Sequence, residues 1–166
     1  MNQEFYSGIG YDSHRLVEGR TLVLGGVSIP FEKGPEGHSD GDIIFHALTD
    51  ALLGAAALGD IGQFFADSDE RWKDAKSAIF LKHAVEEVRV RGYRIVNVDV
   101  TVVLEEPRLT PFRDRIRNSV ATVLEIAVRR VSIKAKTAEG LGAVGEGRST
   151  EAYAVAMIAR SESSDE

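Results

Sequence analysis

The alternation of apolar and polar positions is clearest over residues 95–104. Val96, Val98, Val100 and Val102 share one face there, and Asn97, Asp99, Thr101 and Val103 share the other, the period of two that marks a strand. Shorter β-like runs lie at 5–11, 21–24, 27–29, 131–136 and 152–159, and Gly25-Gly26 between the second and third predicts a hairpin. Helical spacing takes over at about 42–58, at about 75–91 with Ala78, Leu81, Val85 and Val88 in phase, and at about 111–127. Asp40 or Asp42 is placed to cap the first helix, and Gly92 to stop the second. Residues 64–74 and 137–150 read as loops. The expected fold is α/β (α+β): a single catalytic domain over 1–160 with a mostly four-stranded sheet, helices packed on one face and a small N-terminal hairpin, then a disordered tail at 161–166.

Composition narrows the function. With 43% hydrophobic and 28% charged residues, the 166-residue chain has the balance of a folded domain rather than a disordered one. A net charge of -6 weighs against nucleic acid as a partner, because phosphate backbones are bound by surplus Lys and Arg. The absence of cysteine excludes disulfides and thiolate ligation, so any metal must be held by His, Asp or Glu. The longest apolar stretch, around 47–58, is interrupted by Thr49, Asp50 and Gly54, too short and polar to span a membrane. The N-terminus lacks a basic start and apolar run, so a cytoplasmic location is expected.

Three groups of residues carry candidate chemistry. In Asp12-Ser13-His14, at the end of the first predicted strand, residues two apart point to the same side. His46 follows on the first helix. Together Asp12, His14 and His46 form an N/N/O set that leaves a fourth tetrahedral position open, the pattern of a catalytic zinc site. Spacing alone more readily allows three ordinary polar residues that never meet. The second group, His38-Ser39-Asp40-Gly41-Asp42, precedes the helix N-terminus. Helix capping accounts for its carboxylates, and phosphate contact would account for His38 and Ser39. The third, Lys136-Thr137-Ala138-Glu139, ends a strand before Gly140 and Gly142. It reads either as an exposed turn or as a phosphate contact with Glu139 beside a hard cation such as Mg²⁺.

In order and spacing, the chain resembles the methylerythritol cyclodiphosphate synthase family from about residue 5 to 142. The resemblance rests on Gly10-Tyr11-Asp12-Ser13-His14, Leu24-Gly25-Gly26-Val27, His38-Ser39-Asp40-Gly41-Asp42, the run from His46 to Gly54, Gly59-Asp60-Ile61-Gly62 and Asn97-Val98-Asp99-Val100-Thr101. It implies a phosphorus–oxygen lyase of the non-mevalonate isoprenoid pathway. The implied reaction converts 4-diphosphocytidyl-2-C-methyl-D-erythritol 2-phosphate into the 2,4-cyclodiphosphate with release of CMP, in a homotrimer with active sites at subunit boundaries. It further implies zinc at Asp12, His14 and His46, Mg²⁺ or Mn²⁺ near Glu139, and transition-state contacts from His38 and Thr137. Ser39, Asp60, Ile61, Gly62, Phe65, Asp67 and Asp69 would hold the methylerythritol phosphate; Leu104, Pro107, Arg108, Leu109, Thr110, Lys136 and Ala138 would hold the cytidine diphosphate.

Arg108 stands where the family often has lysine, keeping the charge but presenting a planar fork. The last loop reads Val144-Gly145-Glu146-Gly147-Arg148-Ser149, with arginine and glutamate exchanged relative to the family's usual order. In the family this loop lines an axial cavity that can take an isoprenoid diphosphate, which an unpaired Glu146 would repel. A different metal-dependent phosphohydrolase, activating water at the same three ligands, is the rival reading, and a ligand-binding domain without turnover is another.

Overall fold

The first strand runs well past its hydrophobic stretch. In the computed structural model, which describes residues 3–66 and 69–161, β1 spans Phe5–Glu18, followed by β2 (Leu22–Leu24), β3 (Val27–Ile29) and β4 (Lys33–Pro35). Then come α1 (Ile43–Ala55), the single turn α2 (Ile61–Phe64), α3 (Ala78–Val90), β5 (Tyr93–Val103), α4 (Arg113–Leu124), β6 (Val131–Lys136), the single turn α5 (Gly142–Gly145) and β7 (Ser149–Arg160). The main sheet is five-stranded in the order β4-β1-β7-β5-β6, not four-stranded, because β4 pairs with the polar second half of β1. Only β5 and β6 run parallel. β2 and β3 form a separate two-stranded sheet about Gly25-Gly26.

β1 extends so far because its alternation continues in polar residues. Gly8, Gly10, Asp12, His14 and Leu16 point to the helices; Ile9, Tyr11, Ser13 and Arg15 point away. Asp12 and His14 therefore sit inside a strand, paired with Ala152 and Thr150 of β7, rather than at a strand end. In β5 the expected phase slips. A bulge between Ile95 and Asn97 puts Ile95, Val98, Val100 and Val102 on the buried face and takes Val96 off it. Pro111 lies in a 3₁₀ turn, so the third helix proper covers only 113–124 and ends at Glu125 in the left-handed region, φ 55°.

All three long helices lie on one sheet face. Nearly every side chain of α1 is buried, including Ile43, Ile44, Leu48, Leu52 and Leu53, because it is sandwiched between the sheet and α3. Its approach to the sheet is set by missing side chains. A Cβ at Gly10 would overlap the Ala47 carbonyl oxygen, and one at Gly8 the Ala51 carbonyl oxygen. Ala152, Ala154 and Ala156 keep the neighbouring strand equally shallow. Asp42 caps α1, accepting the amides of Ile44 and Phe45, and also accepts Gly25 and Gly26 from the hairpin tip. Burial pushes its carboxyl up to about 6, against the opposing pull of those amides.

The opposite sheet face exposes Ile9, Tyr11, Tyr153, Val155 and Met157, with the Tyr11 and Tyr153 rings 5.0 Å apart. Ser161 is tied back by its N–H to the Gly92 carbonyl at 2.8 Å; the rest of the tail, 162–166, lies outside the described residues. Among the described residues no helix is long and apolar enough to cross a membrane.

Candidate metal and phosphate site

Close packing of α1 on β1 brings His46 against the two polar residues of the strand. Asp12 Oδ2 lies 3.0 Å from His14 Nδ1 and 3.0 Å from His46 Nδ1, and one ligand atom from each residue falls within 4.8 Å of the others. These side chains are only 22%, 15% and 13% exposed. His46 Nδ1 makes a hydrogen bond to Asp12, but His14 Nδ1 is buried and has no hydrogen-bond partner. Two imidazole nitrogens and a carboxylate oxygen aimed at one point, with one nitrogen unsatisfied, fit a divalent cation and fit poorly with a purely structural cluster.

Charge points the same way. Burial raises the Asp12 carboxyl, but the His14 and His46 imidazoles beside it outweigh this and hold it below the usual carboxylate range. Burial lowers the His46 imidazole, and the Asp12 carboxylate more than reverses this, leaving it above its ordinary value. Proton and metal therefore compete for the same nitrogen.

The triad forms one wall of a cavity of about 410 Å³ completed by His38, Ser39, Asp50, Ile61, Phe65, Ala66, Trp72 and Phe80. His38 is exposed at its mouth; Ser39 is buried, with Oγ 3.3 Å from His46 Nε2. Asp50 lines the cavity and accepts the Ile61 N–H at 2.7 Å, and burial raises its carboxyl. Asp60 and Gly62 are exposed and do not line the cavity; Asp60 caps α2 through the Gln63 amide. Asp67 lies outside the described residues. Asp69 turns elsewhere, gripped by Arg71 and capping the turn at Glu70–Trp72, and Trp72 reaches the wall instead.

The cytidine-side candidates form a different cavity. Pro107, Arg108 and Thr137 line a space of about 510 Å³ with Phe31, Glu105 and Glu106, and it shares no lining residue with the metal cavity. Leu104 and Leu109 are buried beneath it, while Thr110, Lys136 and Glu139 are exposed. The Glu105 carboxylate, which spacing did not single out, accepts the amides of Ala138 at 3.0 Å and Gly140 at 3.2 Å, fixing the turn in which Glu139 takes φ 51°.

Sheet register relates the two cavities. His14 pairs with Thr150, and Val103 pairs with both Glu151 and Lys136, so all lie along one end of the sheet. Three strand spacings separate His14 from Lys136, about 14 Å at ~4.8 Å each, more than one phosphate bridges.

Side-chain partners account for three residue groups outside the two cavities. Asp99 pairs with Lys134 at 2.7 Å on the outer sheet face. The His83 ring packs 5.1 Å from Phe64 and 5.2 Å from Phe65. Arg148 donates to Glu146 at 2.6 Å, so the exchanged loop carries a paired glutamate.

A profile of the YgbB family matches residues 5–159. The chain is 56% identical over 155 residues to the 2-C-methyl-D-erythritol 2,4-cyclodiphosphate synthase of Solibacter usitatus, covering 93% of this chain and 98% of that protein. Among solved structures, the bifunctional IspDF from Campylobacter jejuni matches with TM-score 0.92 and 37% identity over 96% of this chain, which spans only 43% of that longer protein. IspF of Plasmodium falciparum, in complex with CDP, matches with TM-score 0.84 and 36% identity over 98% of this chain and all of that one. Site geometry, profile and relatives agree: the chain belongs to the YgbB family, that of the 2-C-methyl-D-erythritol 2,4-cyclodiphosphate synthases.

Proposed function

We propose that the protein converts 4-diphosphocytidyl-2-C-methyl-D-erythritol 2-phosphate into the 2,4-cyclodiphosphate and CMP. The observation that carries this is the convergence of Asp12, His14 and His46 on one point of a cavity wall. In-line attack of one phosphate on another's phosphorus needs positioning and charge neutralisation more than a covalent nucleophile.

Zinc, held by Asp12, His14 and His46, would supply Lewis-acid charge neutralisation to a phosphate oxygen. His38 at the cavity mouth contacts the same phosphate, and Ile61 and Phe65 enclose the methylerythritol carbon skeleton. Ser39, in the cavity wall and 3.3 Å from the His46 ring, contacts the methylerythritol phosphate. Arg108, Lys136 and Thr137 hold the cytidine diphosphate, and Glu139 is free to take Mg²⁺ or Mn²⁺. Asp60 and Gly62 contribute through the backbone turn of α2, which sets Ile61 in place.

The separation of the two cavities within one chain supports an active site completed by a neighbouring copy. The exposed apolar stripe of Ile9, Tyr11, Tyr153, Val155 and Met157 supports a homotrimer packed through that sheet face. The reading is tested by ³¹P NMR of the substrate incubated with the protein, Zn²⁺ and Mg²⁺. Cyclic diphosphate with CMP is expected, and inorganic phosphate as product would instead establish a hydrolase.

A further inference from the structure

Ser77 occupies the N-cap position of α3, where a serine hydroxyl ordinarily accepts a backbone amide two or three residues on. It does not do so here. The residue is fully buried, 0% exposed, and its side chain makes no capping bond. Its Oγ lies instead 2.8 Å from His46 Nε2 and donates to Asp40 Oδ1. The same carboxylate oxygen accepts the Ser77 and Asp42 amides, both at 3.2 Å, so Asp40 is held on both sides. Backbone bonds from Asp40 N to Ala75 O at 3.1 Å and from Asp74 N to His38 O at 2.5 Å fasten the His38 loop to the entry of α3.

The other face of the imidazole fixes what this arrangement does. His46 Nδ1 faces Asp12 and His14; to ligate a cation there it must give up the proton it shares with Asp12, and the remaining ring proton then sits on Nε2. With the Ser77 hydroxyl proton directed to Asp40, Ser77 Oγ is left as an acceptor for Nε2–H. Ser39 Oγ, 3.3 Å away, is a weaker second acceptor.

We infer that Ser77 and Asp40 are positioning residues that hold His46 by its Nε2–H, opposing the pull of the Asp12 carboxylate on the Nδ1 proton and turning Nδ1 to the metal position. The inference rests on the metal reading of the triad and extends it to two residues that touch neither metal nor substrate. The diverted cap of α3 marks the trade: a helix start gives up its side-chain bond to orient a ligand on another helix.

The test uses the full chain and Zn²⁺ alone, in competition with a chromogenic chelator, alongside ¹⁵N NMR of the histidine rings in metal-free protein. Ser77→Ala is expected to weaken Zn²⁺ about ten- to hundredfold and to shift His46 toward the Nδ1–H tautomer, while Ser77→Thr, which keeps the hydroxyl, restores both. Asp40→Asn, which keeps the shape and removes the charge, is expected to move both readouts in the same direction by less. Should Ser77→Ala prove poorly folded, Asp40→Asn carries the comparison. Unchanged Zn²⁺ affinity in Ser77→Ala, or weakened affinity with the His46 tautomer unmoved, overturns the positioning role. His46→Ala separates this from failure of the site itself: if that variant binds Zn²⁺ as tightly as the parent, the triad is not the metal site at all.

Discussion

The two candidate half-sites are built in opposite ways. Around Asp12, His14 and His46, every ligand stands on a strand or long helix, and the spacing is set by backbone contact through Gly8 and Gly10. Around Thr137 and Glu139, the functional groups stand on an exposed turn held by two amide bonds to Glu105. The first half is organised through buried backbone contact, whereas the second is lined by the exposed residues of a turn and a loop. Rigid scaffolding thus goes to the group that must grip a bare ion, and looser structure to the part that receives a large, internally flexible nucleotide.

The widest break in that comparison comes from His46→Ala. It should abolish cyclisation and weaken Zn²⁺ by more than about a hundredfold, beyond the range seen for outer hydrogen-bond partners, with the fold retained; chelator competition and circular dichroism check it. Gly10→Ala should act through packing. Lifting α1 off β1 costs about 3 kcal/mol or more in urea denaturation, and Zn²⁺ affinity falls with it.

The pH dependence follows in size. Because His46 titrates above its ordinary value, Zn²⁺ binding should lose about tenfold per pH unit as pH falls below that raised pKa and the ring takes its proton. In metal-free protein the Asp12–His46 pair stabilises the fold between the lowered Asp12 pKa and the raised His46 pKa. That contribution is lost as pH falls through the first or rises through the second. Isothermal titrations across pH 5.5–8 at ~0.5-unit steps would show the slope.

Glu105→Ala should be the mildest and the most discriminating. Losing two charge-assisted bonds at an exposed turn should lower kcat/KM roughly tenfold, with Zn²⁺ affinity unchanged. A matching loss of Zn²⁺ binding would show that the two halves are not independent.

Local pattern carried much of this into the sequence. A carboxylate cap on α1 (narrowed to Asp40 or Asp42), the limits of β6 and the Gly25-Gly26 turn all follow from period and turn chemistry. The metal triad was legible only as a candidate, since nothing in the spacing says that a helix sits close enough to a strand. Its proof lies in Gly8 and Gly10, whose meaning depends on what crosses them. The long β1 was hidden because Asp12 and His14 occupy inward positions where an apolar residue is expected. Ser77 stands out by no motif in sequence; its 31-residue separation from His46 is closed only by packing of α3 against α1. The slip at Val96 and the exposed stretch of β6 left no residue-level mark either, because a bulge shifts phase without changing composition.

The alternation along β1 has a last consequence. Gly8, Gly10, Asp12 and His14 serve the chemistry on one side, while Ile9 and Tyr11 clothe the other. Inserting a single residue ahead of Gly8 spares this pattern, but inserting one between Gly10 and Asp12 turns the carboxylate and imidazole outward while the glycines stay inward. One codon's worth of extra chain would then blind the ion site and plant charge amid the bare aromatic surface, so this ribbon is held to its length as strictly as to its inward residues.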